Sequence, residues 1–471
     1  MSVMVKLGFV PSYRNRWSDW AEDMRAASLE ALGKISGIEV VAPDAHATAH
    51  GAVQNLDDAE TVAEQFAREK IDGLVLCPVD FGDERSACKI AEKLGVPVLL
   101  YATKEPPAVQ DASLARVSDS YCGNLSMASG LHRRGIPFRF AGIFFPDEPE
   151  LATELDDFAR ACAVVKGLRN ARLGHIGVRP ATFETVGYDE AALIRKFGQN
   201  VVYANLSDLV DAAKRMPDDD PAVLDLVESM KAEVAAVTVA DDYLINSAKL
   251  ELALVNFWEK QGLSAMAMQC WPSIQRELGI SLCAMYGRLT GRHMLTACEV
   301  DVLGAMAMLV NYQAALGLAL PHFIDWTIQH RDDDNVLLTW HCGNAPVCLA
   351  DSPDKTALRS RGNMTGALDP EPGDGQAGLY QFQVRPGEVT FCRLQEQDGE
   401  WKMLIATGEI EASDEDLAGT WGWVRVSDHA KLYRTLVEEG FIHHASMIHG
   451  NQTAALLQAC KFLDIEPVVV D

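Results

Sequence analysis

The sequence is short of positive charge: 41 Lys and Arg residues stand against 67 Asp and Glu, for a net charge of −26. Phosphate backbones and anionic lipid are bound by Lys and Arg, so nucleic acid and membrane surfaces are excluded as expected partners. No apolar run is long enough to span a bilayer. The 11 cysteines include no Cys-x-x-Cys pair, which excludes zinc-ribbon and thioredoxin-like motifs. Their odd number and scattered positions suit free thiols in a reducing compartment, so a cytoplasmic protein is expected. The opening Met1-Ser2-Val3-Met4-Val5-Lys6-Leu7-Gly8-Phe9-Val10 lacks the basic segment and cleavage site of a signal peptide and reads as a first β-strand. There is no repeat of solenoid period. The acidic clusters Asp218–Asp220 and Asp332–Asp334 read as solvated loops.

What is present is a globular composition, 48% hydrophobic and 23% charged, over 471 residues. That length exceeds one ordinary core. The first part alternates continuous apolar strands with amphipathic helices: strands near Val3–Val10, Gly37–Val41, Gly73–Cys77 and Val96–Tyr101, helices near Trp17–Gly33, Asp57–Lys70 and Glu84–Leu94. This pattern predicts a parallel sheet covered on both faces. Pro146-Asp147-Glu148-Pro149-Glu150 reads as a junction, and the alternation then resumes through Leu173–Val178, Leu263–Cys270 and Met294–Cys298. Beyond about Leu316 the texture changes to short strands split by Gly- and Asp-rich turns, with helices near His429–Glu439 and Gln452–Leu463.

The expected fold class is α/β: two doubly wound, Rossmann-like domains, 1–150 and 151–314, then a β-rich, barrel-like C-terminal domain, 315–471, with terminal helices. Neither α/β segment carries Gly-x-Gly-x-x-Gly, so no nucleotide cofactor is expected.

The densest chemistry lies in Thr296-Ala297-Cys298-Glu299-Val300-Asp301-Val302-Leu303-Gly304-Ala305-Met306, two acids inside an apolar run. A buried carboxylate is costly unless a cation or hydrogen bonds compensate it. Glu299 sits past a strand end, where open α/β sheets bind ligands; it could equally be a helix-terminal carboxylate in the macrodipole. Asp301 suits an N-cap or first-turn position. Asp325, in Pro321-His322-Phe323-Ile324-Asp325-Trp326, could be a turn residue or a partner of Glu299. His341 closes a strand, where a core imidazole is an equal reading. His443, His444 and His449 fall within seven residues, against 12 histidines in the chain; helix-capping histidines are the plainer alternative. Two carboxylates with one or two imidazoles and no thiolate suit Mn²⁺, Mg²⁺ or Fe²⁺ better than structural zinc. Such an ion can hold two adjacent substrate oxygens while a carboxylate moves a proton between neighbouring carbons.

Four segments give a family resemblance: Gly8-Phe9-Val10-Pro11 with Arg14 and Arg16; Ser118–Asn124 with Arg133-Arg134-Gly135-Ile136-Pro137; Ala297–Ala305; and Gly440-Phe441-Ile442-His443-His444 through Gly450. In this order and spacing the chain resembles the L-fucose isomerase and L-arabinose isomerase superfamily of metal-dependent aldose–ketose isomerases. The resemblance implies Glu299 as a first metal-binding and catalytic carboxylate and Asp325, 325 − 299 = 26 residues on, as the second. It implies His444 as the C-terminal metal ligand and His341 as a further metal-site histidine of the arabinose branch. His443 stands where the fucose branch has Asn, leaving it a further metal or substrate candidate. Arg16 matches a substrate-contacting arginine. The implied cofactor is Mn²⁺, with Mg²⁺, Fe²⁺ or Co²⁺ as alternatives. The implied partners are a small sugar and further copies of the chain, as a homotrimer or homohexamer with shared sites. The expected function is therefore a metal-dependent aldose–ketose isomerase acting through a cis-enediol. The rivals are a non-enzymatic sugar-binding or regulatory protein, and an epimerase or lyase using the same enediolate chemistry.

Overall fold

The computed structural model describes residues 3–14, 17–105, 117–360 and 377–470. Two compact units emerge: the chain up to Lys166 with Ala454–Asp464, and Gly167–Thr453 with the final strand.

In the first unit, strands β1 (Val5–Ser12), β2 (Ile38–Val41), β3 (Gly73–Pro78), β4 (Val98–Thr103) and β5 (Phe138–Phe144) form a wholly parallel sheet in the order β2-β1-β3-β4-β5. This is a doubly wound order, with its reversal between β1 and β3. Every residue of β3 and β4 is buried, as a sheet covered on both faces requires. The helices are α1 (Asp19–Gly33), α2 (Leu56–Glu69), α3 (Glu84–Leu94), α4 (Ser120–Arg133) and α5 (Pro149–Arg169). Ser18 caps α1 by accepting from Ala21 N at 3.1 Å, and Asn55 caps α2 by accepting from Asp57 N and Asp58 N.

The second unit begins with β6 (Arg172–Ile176), helix α6 (Glu190–Phe197), β7 (Asn200–Ala204), α7 (Leu206–Arg215) and α8 (Pro221–Ala232). It continues with β8 (Ala236–Val237), α9 (Asp241–Gln261), β9 (Ala265–Met268), α10 (Ser273–Leu278), α11 (Cys283–Gly291), β10 (Thr296–Ala297) and α12 (Val302–Ala314). Strands β10-β9-β6-β7 form a second parallel sheet. The remaining strands are β11 (His322–Gln329), β12 (Val336–His341), β13 (Ala357–Ser360), β14 (Ala377–Gln383), β15 (Gly387–Gln397), β16 (Glu400–Ile410), β17 (Thr420–Arg425), β18 (His444–His449) and β19 (Glu466–Val470). Helix α13 (His429–Glu438) precedes β18, and α14 (Thr453–Leu463) belongs to the first unit.

Six of these strands close a ring, each antiparallel to its neighbours: β16-β15-β18-β11-β12-β17 and back to β16. Closure removes the open edges of a six-stranded sheet. Strand β19 adds in parallel to β16, β14 adds in parallel to β17, and β13 and then β8 extend the sheet. The short β8 thus comes from the stretch between two strands of the parallel sheet yet pairs with the β-rich one.

Helix α12 is buried at every position but Gln313. A helix apolar all round belongs inside a core, and α12 packs against β6 and β9 on one side and β15 and β18 on the other. Asn311 ties it to β18 by donating from Nδ2 to Ser446 O and Oγ, both at 3.0 Å. Among the described residues no helix is long and apolar enough to cross a membrane.

Candidate active site

The site is built around the entry to α12. After β10 the chain passes through Cys298, Glu299 and Val300 before Asp301 caps the helix. Glu299 and Val300 both have left-handed backbone, φ 52° and φ 61°. A left-handed β-branched residue is a real outlier, and such strain persists only where surrounding structure holds it. Here the turn is closed by Asp301 N donating to Cys298 O at 3.0 Å, and Val300 is buried. The outcome is that consecutive acids face different neighbours: Glu299 faces a cavity and Asp301 faces the interior.

Asp301 is fully satisfied. One carboxylate oxygen accepts from Gly304 N at 2.8 Å and from Arg393 Nη2 at 3.1 Å; the other accepts from Arg393 Nη1 and lies 2.9 Å from His444 Nδ1. A Cβ on Gly304 would come within 2.6 Å of Asp301 Oδ2 and 2.5 Å of the Phe323 ring, so only glycine lets the carboxylate fold back over the first turn. Burial alone would raise the Asp301 pKa; Arg393 and His444 overcome it and hold the carboxyl well below its usual range. His444 shows the converse. Burial works against its charged form, but the hydrogen bond and charge of Asp301 outweigh that and raise its pKa.

The other nitrogen of His444 faces Glu299 and Asp325. Its Nε2 is 3.7 Å from Glu299 Oε2 and 3.6 Å from Asp325 Oδ1. Strand pairing places Asp325: it sits directly opposite His444 in the β11–β18 ladder and opposite Trp340 in the β11–β12 ladder. The β11 register shifts just beyond, between Trp326 and Ile328, a bulge of the kind that re-aims side chains beside sites. His341, the last residue of β12, brings its Nε2 to 3.9 Å from Glu299 Oε2. Phe323 packs against the rings of both histidines, at 4.8 Å from His444 and 5.7 Å from His341. His443 is exposed at the rim, its ring 4.2 Å from that of His444.

Glu299 Oε2 and Asp325 Oδ1 are buried and have no hydrogen-bond partner. Glu299 Oε1 accepts from the Cys270 thiol, at 3.7 Å, and the Cys298 thiol also hydrogen-bonds to this carboxylate. Burial raises the pKa of both acids, that of Asp325 to about 7, with His444 opposing the rise in each case. Two orphaned carboxylate oxygens converging on a bare-facing imidazole nitrogen suit a divalent cation with mixed O/N coordination. Glu299, His341 and His444 place ligand-type atoms within 4.8 Å of one another, and so do Asp325, His443 and His444. The adjoining cavity, about 450 Å³, is lined by Phe183, Cys270, Trp271, Glu299, Asp325, Trp340 and His341 among others, a size suited to a small-molecule ligand.

Five of the six residues singled out in the sequence thus come together: Glu299, Asp325, His341, His443 and His444. Arg16 lies outside the described residues. Asp301 takes the N-cap role expected of it, and the macrodipole position considered for Glu299 falls to Asp301 instead, because the left-handed turn lifts Glu299 off the helix. Asp325 is a strand residue rather than a turn, and His444 opens a strand rather than capping a helix. Arg393 was missed. Its signal was an arginine inside the apolar strand Val389-Thr390-Phe391-Cys392-Arg393-Leu394, where a charge needs a buried partner.

Carboxylates and imidazoles around a sugar-sized cavity, on a parallel α/β sheet joined to a closed β-ring, accord with the class of enzyme that comparison with known proteins assigns: a sugar isomerase. More particularly, the chain belongs to the fucose isomerase-like superfamily. The domain described as fucose/sulfoquinovose isomerase, N-terminal domain, matches residues 8–169, and L-fucose isomerase, C-terminal domain, matches residues 339–470. The chain is 25% identical to the sulfoquinovose isomerase of Priestia aryabhattai over 465 residues, 98% of each chain. It is also 25% identical to that of Alkalicoccus urumqiensis over 401 residues, 85% of this chain and 86% of the relative. The L-arabinose isomerase of Bifidobacterium adolescentis is 26% identical over 246 residues, 50% of this chain and 47% of the relative.

Proposed function

We propose that the protein is an aldose–ketose isomerase that holds one divalent metal ion, Mn²⁺ before Mg²⁺, Fe²⁺ or Co²⁺, on Glu299, Asp325 and His444. The observation that carries this reading is the pair of orphaned oxygens, Glu299 Oε2 and Asp325 Oδ1, aimed at His444 Nε2. When bound, the ion supplies Lewis acidity toward two adjacent sugar oxygens.

The protein's own groups carry the protons. Glu299 takes the proton from C2 of the open-chain aldose while Asp325, ionised as a ligand, takes the O2 hydroxyl proton and hands it to O1. The intermediate is the anion of a cis-enediol. Glu299 then returns its proton to C1 as the C2 carbonyl forms, which leaves the ketose and both carboxyls as they began. Phe183, Trp271 and Trp340 wall the cavity, and the proton held on Glu299 exchanges with solvent before it is returned. The first substrate to assay is sulfoquinovose, named for the relatives that match along nearly the whole chain, followed by unsubstituted aldoses. We extend the reading to a cytoplasmic enzyme, which the absence of disulfides among its 11 cysteines supports, and to a trimer or hexamer in which Arg16 contacts the sugar.

The test is isomerisation by the Mn²⁺-loaded protein in D₂O with product analysis by NMR. Aldose-to-ketose conversion with solvent deuterium at the transferred position supports the reading. C2 inversion alone would make the protein an epimerase, and carbon–carbon cleavage would make it a lyase.

A further inference from the structure

We propose that the two buried histidines hold opposite tautomers and therefore different tasks: His444 offers a bare Nε2 to the metal ion, whereas His341 offers an Nε2–H to an oxygen of the sugar and does not ligate the metal. The inference rests on the isomerase reading above and departs from the grouping by distance alone, in which His341 is as close to Glu299 as a ligand would be.

The partners of the two Nδ1 atoms carry the argument. His444 Nδ1 lies 2.9 Å from Asp301 Oδ2. Asp301 has no proton to give, because Arg393 and the Gly304 amide already donate to its two oxygens. The bond therefore needs its proton on Nδ1, and the neutral ring is left with a lone pair on Nε2, facing Glu299 and Asp325. A carboxylate on the far nitrogen is also the usual support of a metal-bound imidazole.

His341 Nδ1 has the opposite kind of partner. The backbone N of Cys342 is 2.9 Å away, and an amide nitrogen can only donate. The Cys342 thiol, 3.2 Å from the same atom, can donate as well. Nδ1 is thus the acceptor, the ring is neutral, and its proton sits on Nε2. That N–H points toward the cavity, 3.9 Å from Glu299 Oε2. A nitrogen carrying a proton has no lone pair for a metal, but it is a well-placed donor to a sugar oxygen that gains negative charge.

Two measurements separate the tasks. Electron spin-echo envelope modulation of the Mn²⁺-loaded wild type should count one imidazole nitrogen, lost in His444→Gln and kept in His341→Leu. By titration, His341→Leu should bind Mn²⁺ within ~3-fold of wild type while His444→Gln weakens binding ~10–100-fold or more. In turnover, His341→Leu should lower kcat/KM ~10–100-fold, and His341→Gln, whose amide N–H reaches the place of Nε2–H, should recover part of the loss. Two imidazole nitrogens in the wild type, or a tenfold loss of Mn²⁺ affinity in His341→Leu, overturns the tautomer assignment and leaves the isomerase reading standing. A wild type that binds no divalent ion overturns both. Should His341→Leu fail to fold, the nitrogen count in the wild type decides alone.

Discussion

Glu299 and Asp301 are two residues apart, both buried, and unlike in nearly every other respect. The region around Asp301 is closed: an arginine, an amide and an imidazole occupy both its oxygens, and its pKa falls. The region around Glu299 and Asp325 is open: each acid keeps an oxygen without a partner, and its pKa rises. One strained turn separates the two. The difference teaches how a fold divides labour between like groups. A carboxylate whose partners are complete orients its neighbours, and one whose partners are incomplete is available to a ligand.

The sharpest test of this division is to remove charge from the open region. Glu299→Gln and Asp325→Asn are each expected to lower isomerisation ~10²–10⁴-fold, the range of acid–base catalysis, with melting temperature at or above that of the metal-free wild type because an uncompensated buried charge has gone. Wild-type activity in either folded variant, with every aldose tested, would end the assignment.

Changes in the closed region should act on stability instead. Arg393→Met leaves Asp301 buried with an incomplete shell, and a broken buried ion pair costs ~3–5 kcal/mol, readable by urea unfolding. Pairing it with Asp301→Leu should recover part of that loss. If the single variant is as stable as wild type, the contrast between the regions is false.

The pH response discriminates more finely. In the metal-free protein Asp325 is protonated below about 7. Its raised value means that ionising it costs folded-state stability, a cost absent in strong acid and growing as pH rises from the unfolded carboxyl value toward 7. Mn²⁺ binding must expel that proton, and any held on Glu299 and His444, whose pKa values are raised too, so affinity should fall at least ~10-fold per pH unit below 7. A flat profile from pH 5 to 8, measured by calorimetry, would show that Asp325 is no ligand. Smallest of all should be Cys342→Ala: the backbone amide still donates to His341, and kcat/KM should change by no more than ~3-fold, at most about one weak hydrogen bond's worth.

Much of this was legible in the amino-acid order. Continuous apolar runs such as Gly73-Leu74-Val75-Leu76-Cys77 announced buried parallel strands, and Ser18 announced the start of α1, because these signals are local. Glu299, Asp325 and His444 could be picked out by spacing and family resemblance. Their geometry could not, since it depends on ladder register across more than a hundred residues and on two left-handed residues that no propensity favours. Strand β18 escaped because a histidine pair at its start reads as polar punctuation. Arg393 escaped because its partner is distant in sequence, 393 − 301 = 92 residues away.

The closed ring of strands has one further consequence. Its β16–β17 junction pairs two residues, against 11 along β15–β16. Counted around the ring, the β11–β18 ladder that seats Asp325 against His444 lies directly across from that junction. Local opening starts where few paired amides hold a sheet together. In hydrogen–deuterium exchange, the amides of Glu411 and Arg425, which face this junction, should therefore take up deuterium early while those of Ala445 and Met447 stay protected. The barrel can breathe at its seam without loosening the pair on which the site depends.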